Sequence, residues 1–323
     1  MNTIDTHAHL YPARYLDFLE EHGVDPATTQ IARNMRASDE PEEMAARLKQ
    51  MDDAGVAEQI LSVTPQVPML ADAKDALAAA RLVNDIYEET MQSYPGRFRS
   101  YLALPVPHVT ESLTILDEYF DREGFIGVGL PTVIQGTLSI ADDSLLPLYE
   151  RLNELGARVY IHATGGGASS DLLTEHGLVW VNGALVEDAV AVLHLLKADI
   201  PARFPKIRFH IAHLAGDLPF LAQRIEDNYT DWDAFNHSPA QTLRSMWFDT
   251  ANFHGPSLLL AADAYGVSQL MMGSDYPYFQ DAQYTRAVEY VQGASLHLGD
   301  QTIALSPEDT DAILTTNAQK FFS

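Results

Sequence analysis

Asp5-Thr6-His7-Ala8-His9, reached through the short apolar lead Thr3-Ile4, places two histidines two residues apart on what reads as a β-strand. A strand throws successive side chains to opposite faces, so His7 and His9 point the same way and aim two imidazoles at one place. That is a metal-site geometry, although two histidines near a terminus also reach this spacing by accident. Further along the chain, three more apolar runs end in ligand-type residues: Val159-Tyr160-Ile161-His162, Arg208-Phe209-His210-Ile211-Ala212-His213 and Leu270-Met271-Met272-Gly273-Ser274-Asp275. Four strand ends then converge on one site.

The same alternation runs through the whole chain. Short β-rich stretches at residues 3–9, 58–63, 98–104, 126–130, 158–162, 207–212, 246–250 and 269–273 read as strands. Amphipathic stretches at 42–54, 72–94, 110–120, 144–155, 186–198, 218–228, 256–265 and 281–292 read as helices, bounded by Gly, Pro or capping residues. Near-continuous apolar strands alternating with helices mean a parallel sheet covered on its outer face, and eight strands close it into a barrel. No Pro/Gly/Ser-rich linker, low-complexity tract or further repeat interrupts the pattern, so residues 1–323 read as one domain. The segment 25–39, which carries Arg33 and Arg36 in a helix-poor stretch, is longer than a turn and reads as a small insertion over the site. Functional barrels keep their chemistry at the C-terminal ends of the strands, and each ligand candidate falls there.

Composition narrows the partners. With 323 residues and 46% hydrophobic content the chain can bury a sizeable core, and 45 acidic against 20 basic residues give a net charge of −25. No Lys/Arg-rich stretch offers a local exception, which argues against nucleic acid and anionic membrane as partners. There is no cysteine, so thiolate ligands and disulfides are excluded and a transition-metal site must use His, Asp or Glu. No leader precedes Ile4 and no apolar stretch reads as a membrane span, so the expected setting is cytoplasmic, with a homodimer as the assembly considered.

Taken singly, His162 reads as a satisfied core histidine and Asp275 as a cap or turn residue. Taken jointly with His7, His9 and His213 at matched barrel positions, they read as a site. Imidazoles with one carboxylate suit Zn²⁺ best, with Mn²⁺ also accommodated. His210 and His213 lie at an odd spacing, which on a strand reverses direction; His213, at the strand end, is assigned inward and His210 to packing. The other histidines read as solvated helix and loop residues.

His7-Ala8-His9, Ile161-His162, the run Phe204-Pro205-Lys206-Ile207-Arg208 followed by Ala212-His213, then Gly273-Ser274-Asp275-Tyr276-Pro277 and Asn317-Ala318, resemble the amidohydrolase superfamily. More narrowly they resemble its branch of aminocarboxymuconate-semialdehyde, γ-resorcylate and methylsalicylate decarboxylases, nearly end to end. The resemblance implies a distorted (β/α)8 TIM barrel with one divalent metal held by His7, His9, His162 and Asp275, and His213 as an unliganded acid/base. Two departures stand out. Where the branch commonly has a glycine-rich run after the catalytic histidine, this chain reads Leu214-Ala215-Gly216-Asp217. The fourth strand ends Gly129-Leu130-Pro131, without the Lys that many hydrolytic relatives carbamylate to bridge two metals, so a mononuclear site is expected.

The expected activity is a metal-dependent, nonoxidative decarboxylation of a small hydroxylated aromatic or conjugated carboxylic acid, with His213 and Asp275 moving the proton and no organic cofactor. The alternative is hydrolysis of a lactone or cyclic amide by the same five residues. A carboxylate entering so acidic a protein needs local positive charge, and Arg33 or Arg36 is expected to supply it. Tyr278 and Trp180 are expected to wall an aromatic substrate.

Overall fold

The structure, a computed structural model, describes residues 2–323. The apolar runs form eight parallel strands: β1 (Thr3–His9), β2 (Val56–Ser62), β3 (Phe98–Ala103), β4 (Phe125–Pro131), β5 (Arg158–His162), β6 (Arg208–Ile211), β7 (Trp247–Asp249) and β8 (Leu270–Met271). Each pairs with its sequence neighbours in a single sheet. The sheet closes where Thr6 N donates to Met272 O at 2.9 Å and His9 N to Tyr276 O at 2.7 Å, just beyond β8. This is the expected (β/α)8 barrel. The eight expected helices are all present, from Pro41–Ala54 to Ala282–Gln292, with ends displaced by a few residues.

Two apolar layers hold it. Inside the barrel, Ile4, Ile60, Tyr101, Tyr160, Trp247 and Met271 pack together, and Phe321 of the C-terminal helix Asn317–Phe322 closes the floor. Outside, the opposite faces of the strands, with Leu61, Val128, Val159 and Phe248, pack against helix residues such as Val83, Leu152 and Leu195. Each such side chain contributes roughly 1.5–3 kcal/mol on burial.

Three features depart from the expectations. The segment 25–39 is not helix-poor: it contains the helix Pro26–Arg33, whose N-cap Asp25 accepts from Ala27 N at 2.9 Å and whose first residue is a proline, the preferred start. The hairpins Val133–Ile134 with Leu138–Ser139, and Ser295–Leu298 with Gln301–Ala304, lie outside the barrel. And the run Val179–Lys197 is long and apolar enough for a membrane span. Half of it is buried against the barrel, and it presents Glu187 and Asp188 to the interior, both fully buried, so it serves as a core helix.

Candidate active site

β1 delivers His7 and His9 to the barrel mouth, β5 delivers His162, and the turns after β6 and β8 deliver His213 and Asp275. Both turn residues sit in the left-handed region, His213 at φ 53° and Asp275 at φ 55°, a backbone strain that clusters at functional sites. After β8 the chain passes so close to β1 and β7 that only Gly273 fits: a Cβ there would lie 2.8 Å from the Cβ atoms of both His7 and Asp249.

Every imidazole is anchored through Nδ1 and offers Nε2. His7 Nδ1 lies 3.0 Å from Asp249 Oδ2, His9 Nδ1 bonds Ser62 Oγ at 3.1 Å, His162 Nδ1 donates to Ala163 O at 2.7 Å, and His213 Nδ1 donates to Asp188 Oδ2 at 2.8 Å. Such partners set the tautomer and aim the other nitrogen. The Nε2 atoms of His7 and His9 are 3.1 Å apart, and each lies 3.2 Å from the same oxygen, Asp275 Oδ1. The His162 ring is centred 4.9 and 4.7 Å from those of His7 and His9, and its Nε2 is buried without a partner. His213 faces the other oxygen, with Nε2 3.6 Å from Asp275 Oδ2. Ligand atoms of His7, His162, His213 and Asp275 all fall within 4.8 Å of one another, so the cluster has the dimensions of a metal site. His9 is left out of that group, yet its contacts with His7 and Asp275 place it at the same point.

Charge is divided unequally across the cluster. Burial pulls the His7 imidazole down, but Asp249 and Asp275 outweigh it and push the ring up to about 9. His9 is pulled down to about 4 by burial and by the neighbouring His7 charge. Burial drives His162 well below the ordinary value. His213 is held well above it because the Asp188 carboxylate outweighs burial, while burial raises Asp188 to about 6 against the lowering effect of His213. The metal-free site therefore pairs two neutral imidazoles, His9 and His162, with two stabilised imidazoliums, His7 and His213.

A cavity of about 310 Å³ opens on His162, His213 and Asp275, and aromatic and apolar side chains, among them Trp180, Leu185, Phe253 and Tyr278, form its walls. Trp180 stacks on Tyr278 with centroids 6.3 Å apart. Residues 4–323 match the family model described as amidohydrolase. The chain belongs to the amidohydrolase family. The chain is similar to the 2-amino-3-carboxymuconate-6-semialdehyde decarboxylase of Dictyostelium discoideum, 24% identical over 85% of this chain and 81% of the relative. It is also similar to the 2-keto-4-carboxy-3-hexenedioate hydratase of Sphingobium sp., 24% identical over 86% and 82%. The fold is shared with the crystal structure of a dihydroxybenzoic acid decarboxylase from Polaromonas sp. JS666 with bound manganese and the inhibitor 2-nitroresorcinol (TM-score 0.83, 20% identity, covering 100% of this chain and 97% of that one).

In this amidohydrolase the two arginines do not reach the cavity. Arg33 is taken up by Asp17 at 2.7 Å and Glu20 at 2.9 Å, and Arg36 meets Asp281 at 3.2 Å on the surface. Neither lines the cavity, and among the described residues no Lys or Arg does. The nearest carboxylates claim an arginine, and in so acidic a chain those are on the neighbouring helices. Sequence reasoning also missed the buried carboxylates. Asp249 ends β7, touches His7, accepts from His213 N at 3.1 Å and lies 3.3 Å from His210 Nε2, so His210 is part of a polar chain that continues to Tyr101 at 2.9 Å, and is more than packing. Asp188 and Glu187 stand out as two acids inside the apolar run Ala184–Lys197, which was the available signal. Glu187 accepts from Thr132, Thr164 and Gly167, tying the loop after β5 to the helix.

Proposed function

We propose that this amidohydrolase is a metal-dependent, nonoxidative decarboxylase of a small hydroxylated aromatic carboxylic acid. The observation that carries the reading is the split around Asp275: His7 and His9 converge on Oδ1, while His213, backed by Asp188, faces Oδ2 across an aromatic-walled cavity. His7, His9, His162 and Asp275 would hold the divalent ion, and the unpartnered Nε2 of His162 is the donor that fits it best. When bound, the ion supplies Lewis acidity toward the acid's oxygens. The donor set suits Zn²⁺ and also admits Mn²⁺.

The chain's own residues supply the rest. With no arginine or lysine at the cavity, the His213 imidazolium is its protein cation, so it both attracts the carboxylate and carries the proton that ends on the carbon losing CO₂. Asp188 fixes the ring so that Nε2, not Nδ1, faces substrate. Trp180, Phe253 and Tyr278 exclude water and sandwich a flat ring. A hydrolase or hydratase would need an attacking water inside the same walls.

The test is to incubate metal-analysed protein with ortho-hydroxybenzoates, lactones and conjugated enoic acids, recording CO₂, acid release and hydration separately. CO₂ alone, abolished by chelation and restored by metal, is the expected result. Acid release or hydration without CO₂ overturns the reading.

A further inference from the structure

A second cavity, of about 430 Å³, adjoins the first, and the two share one side chain, Trp180. Leu19 and Ile31 from the first two helices of the chain and Val24 from the loop between them wall its outer side, and Val67 and Met69 from the loop after β2 wall its inner side. Among the described residues no charged side chain lines it. Its polar side chains already donate elsewhere: Thr28 Oγ1 to Asp25 O at 2.8 Å, Thr164 Oγ1 to Glu187 Oε2 at 2.8 Å, and Gln66 Nε2 to Thr28 O at 3.0 Å.

The partition between the cavities is thin and specifically built. Trp180, 47% exposed, leans on the bare backbone of Gly165, where a Cβ would lie 2.6 Å from the indole Cζ2 and where φ is +82°. Any other residue at 165 would push the indole away. Trp180 also lies on an irregular π-turn, Val179–Gly183, and not inside a regular helix. An indole held on one side by stacking on Tyr278 and half open on the other is the edge over which a bound ring can extend.

We propose that this second cavity is a substrate subsite for a neutral aliphatic chain, so that the acid handled by the catalytic cavity is a hydroxylated aromatic acid bearing an alkyl or alkenyl substituent directed past Trp180. The choice of acid rests on the decarboxylase reading above; the subsite rests on Trp180 being a wall common to both cavities and on the uncharged lining of the second. A carboxylate or ammonium on the tail would be desolvated there without a partner, which disfavours charged chains. The segment 25–39 thus contributes an apolar wall through Ala27, Thr28 and Ile31.

The experiment compares 2,6-dihydroxybenzoate with its 3-pentyl and 4-pentyl derivatives and with the matching tails ending in a carboxylate. Binding is measured by calorimetry on metal-loaded protein, and CO₂ release in parallel. At least one pentyl acid should bind at least about tenfold tighter than the parent, the scale set by burying several methylenes, and its carboxylate-ended analogue should lose that gain. Ala27→Trp, which fills the groove from a surface helix, should abolish the gain and leave the parent acid unaffected. Ile31→Asp, at a position already 38% exposed, should do the same by charge. Equal affinity for tailed and untailed acids in the wild type, or a gain that survives both substitutions, overturns the subsite. A tail-dependent gain in binding with no CO₂ from any acid overturns the decarboxylase and leaves the subsite standing; equal CO₂ release and equal binding do the reverse.

Discussion

A histidine that donates to a buried carboxylate through one nitrogen offers only the other to substrate, and His213 is held in that way by Asp188. His213→Ala should therefore retain metal and lose roughly 10²–10⁴ in kcat, the usual worth of a positioned proton donor. Asp188→Asn should give a loss of similar kind with metal content unchanged, whereas His162→Ala should lose metal first. Elemental analysis beside the kinetics separates the three, and a metal-free His213 variant would make that residue a ligand. His7 gives a pH signature. Its ring, raised to about 9 by Asp249 and Asp275, is protonated at neutral pH without metal, and a ligand imidazole must be neutral. Loading stripped protein with Mn²⁺ at pH 7 should release a proton from His7, with the release fading as pH rises through about 9. Calorimetry in buffers of different ionisation enthalpy counts it, and no proton release at pH 7 contradicts this assignment. The five converging residues were legible because each ends an apolar run. Asp188 and Asp249 were not, because their partners lie 25 and 36 residues away in sequence and only folding joins them.

At the scale of elements, all eight barrel strands and their helices were legible, since an apolar β-rich run between capping residues leaves little choice. The first helices were less so. Pro26–Arg33 carries Thr28 and Thr29, weak helix formers, and its start signal, Asp25-Pro26, was there to be read. That omission turned an arginine-bearing helix into an apparent loop over the site. In the fold, the helix spends Arg33 on Asp17 and Glu20 and turns Ile31 toward the second cavity. Accordingly, Arg33→Ala and Arg36→Ala should both leave kcat/KM for the acid within about twofold of wild type, as exposed ion pairs contribute little. A loss of a hundredfold in either would return that arginine to the carboxylate. The turn after β6 also departs from a glycine-rich pattern yet still bends: His213, Leu214 and Ala215 all adopt positive φ. The bend is paid for by tertiary contacts, which no local propensity reveals.

The whole molecule carries a net charge of −25 around a cavity with no lysine or arginine, so an anionic substrate approaches against the field. Screening weakens that repulsion over about 10 Å at 0.1 M salt. Raising sodium chloride from about 10 mM to 150 mM should therefore increase kcat/KM for the acid a few-fold, and stopped-flow or initial-rate measurements at low substrate show it; a decrease would point to a cationic entrance absent from this account. The barrel itself, with its apolar interior and outer layer, sets the positions of five polar side chains from four strands, and the chemistry follows from where those strands end. That chemistry is tested most directly by running the reaction of metal-loaded protein with a ¹³C-carboxyl-labelled hydroxybenzoate in D₂O. The account predicts labelled CO₂ in one-to-one yield with a phenol carrying one deuterium at the carbon that held the carboxylate, and no such product from His213→Ala on the same timescale. Substrate consumed with the label retained in the organic product would contradict it.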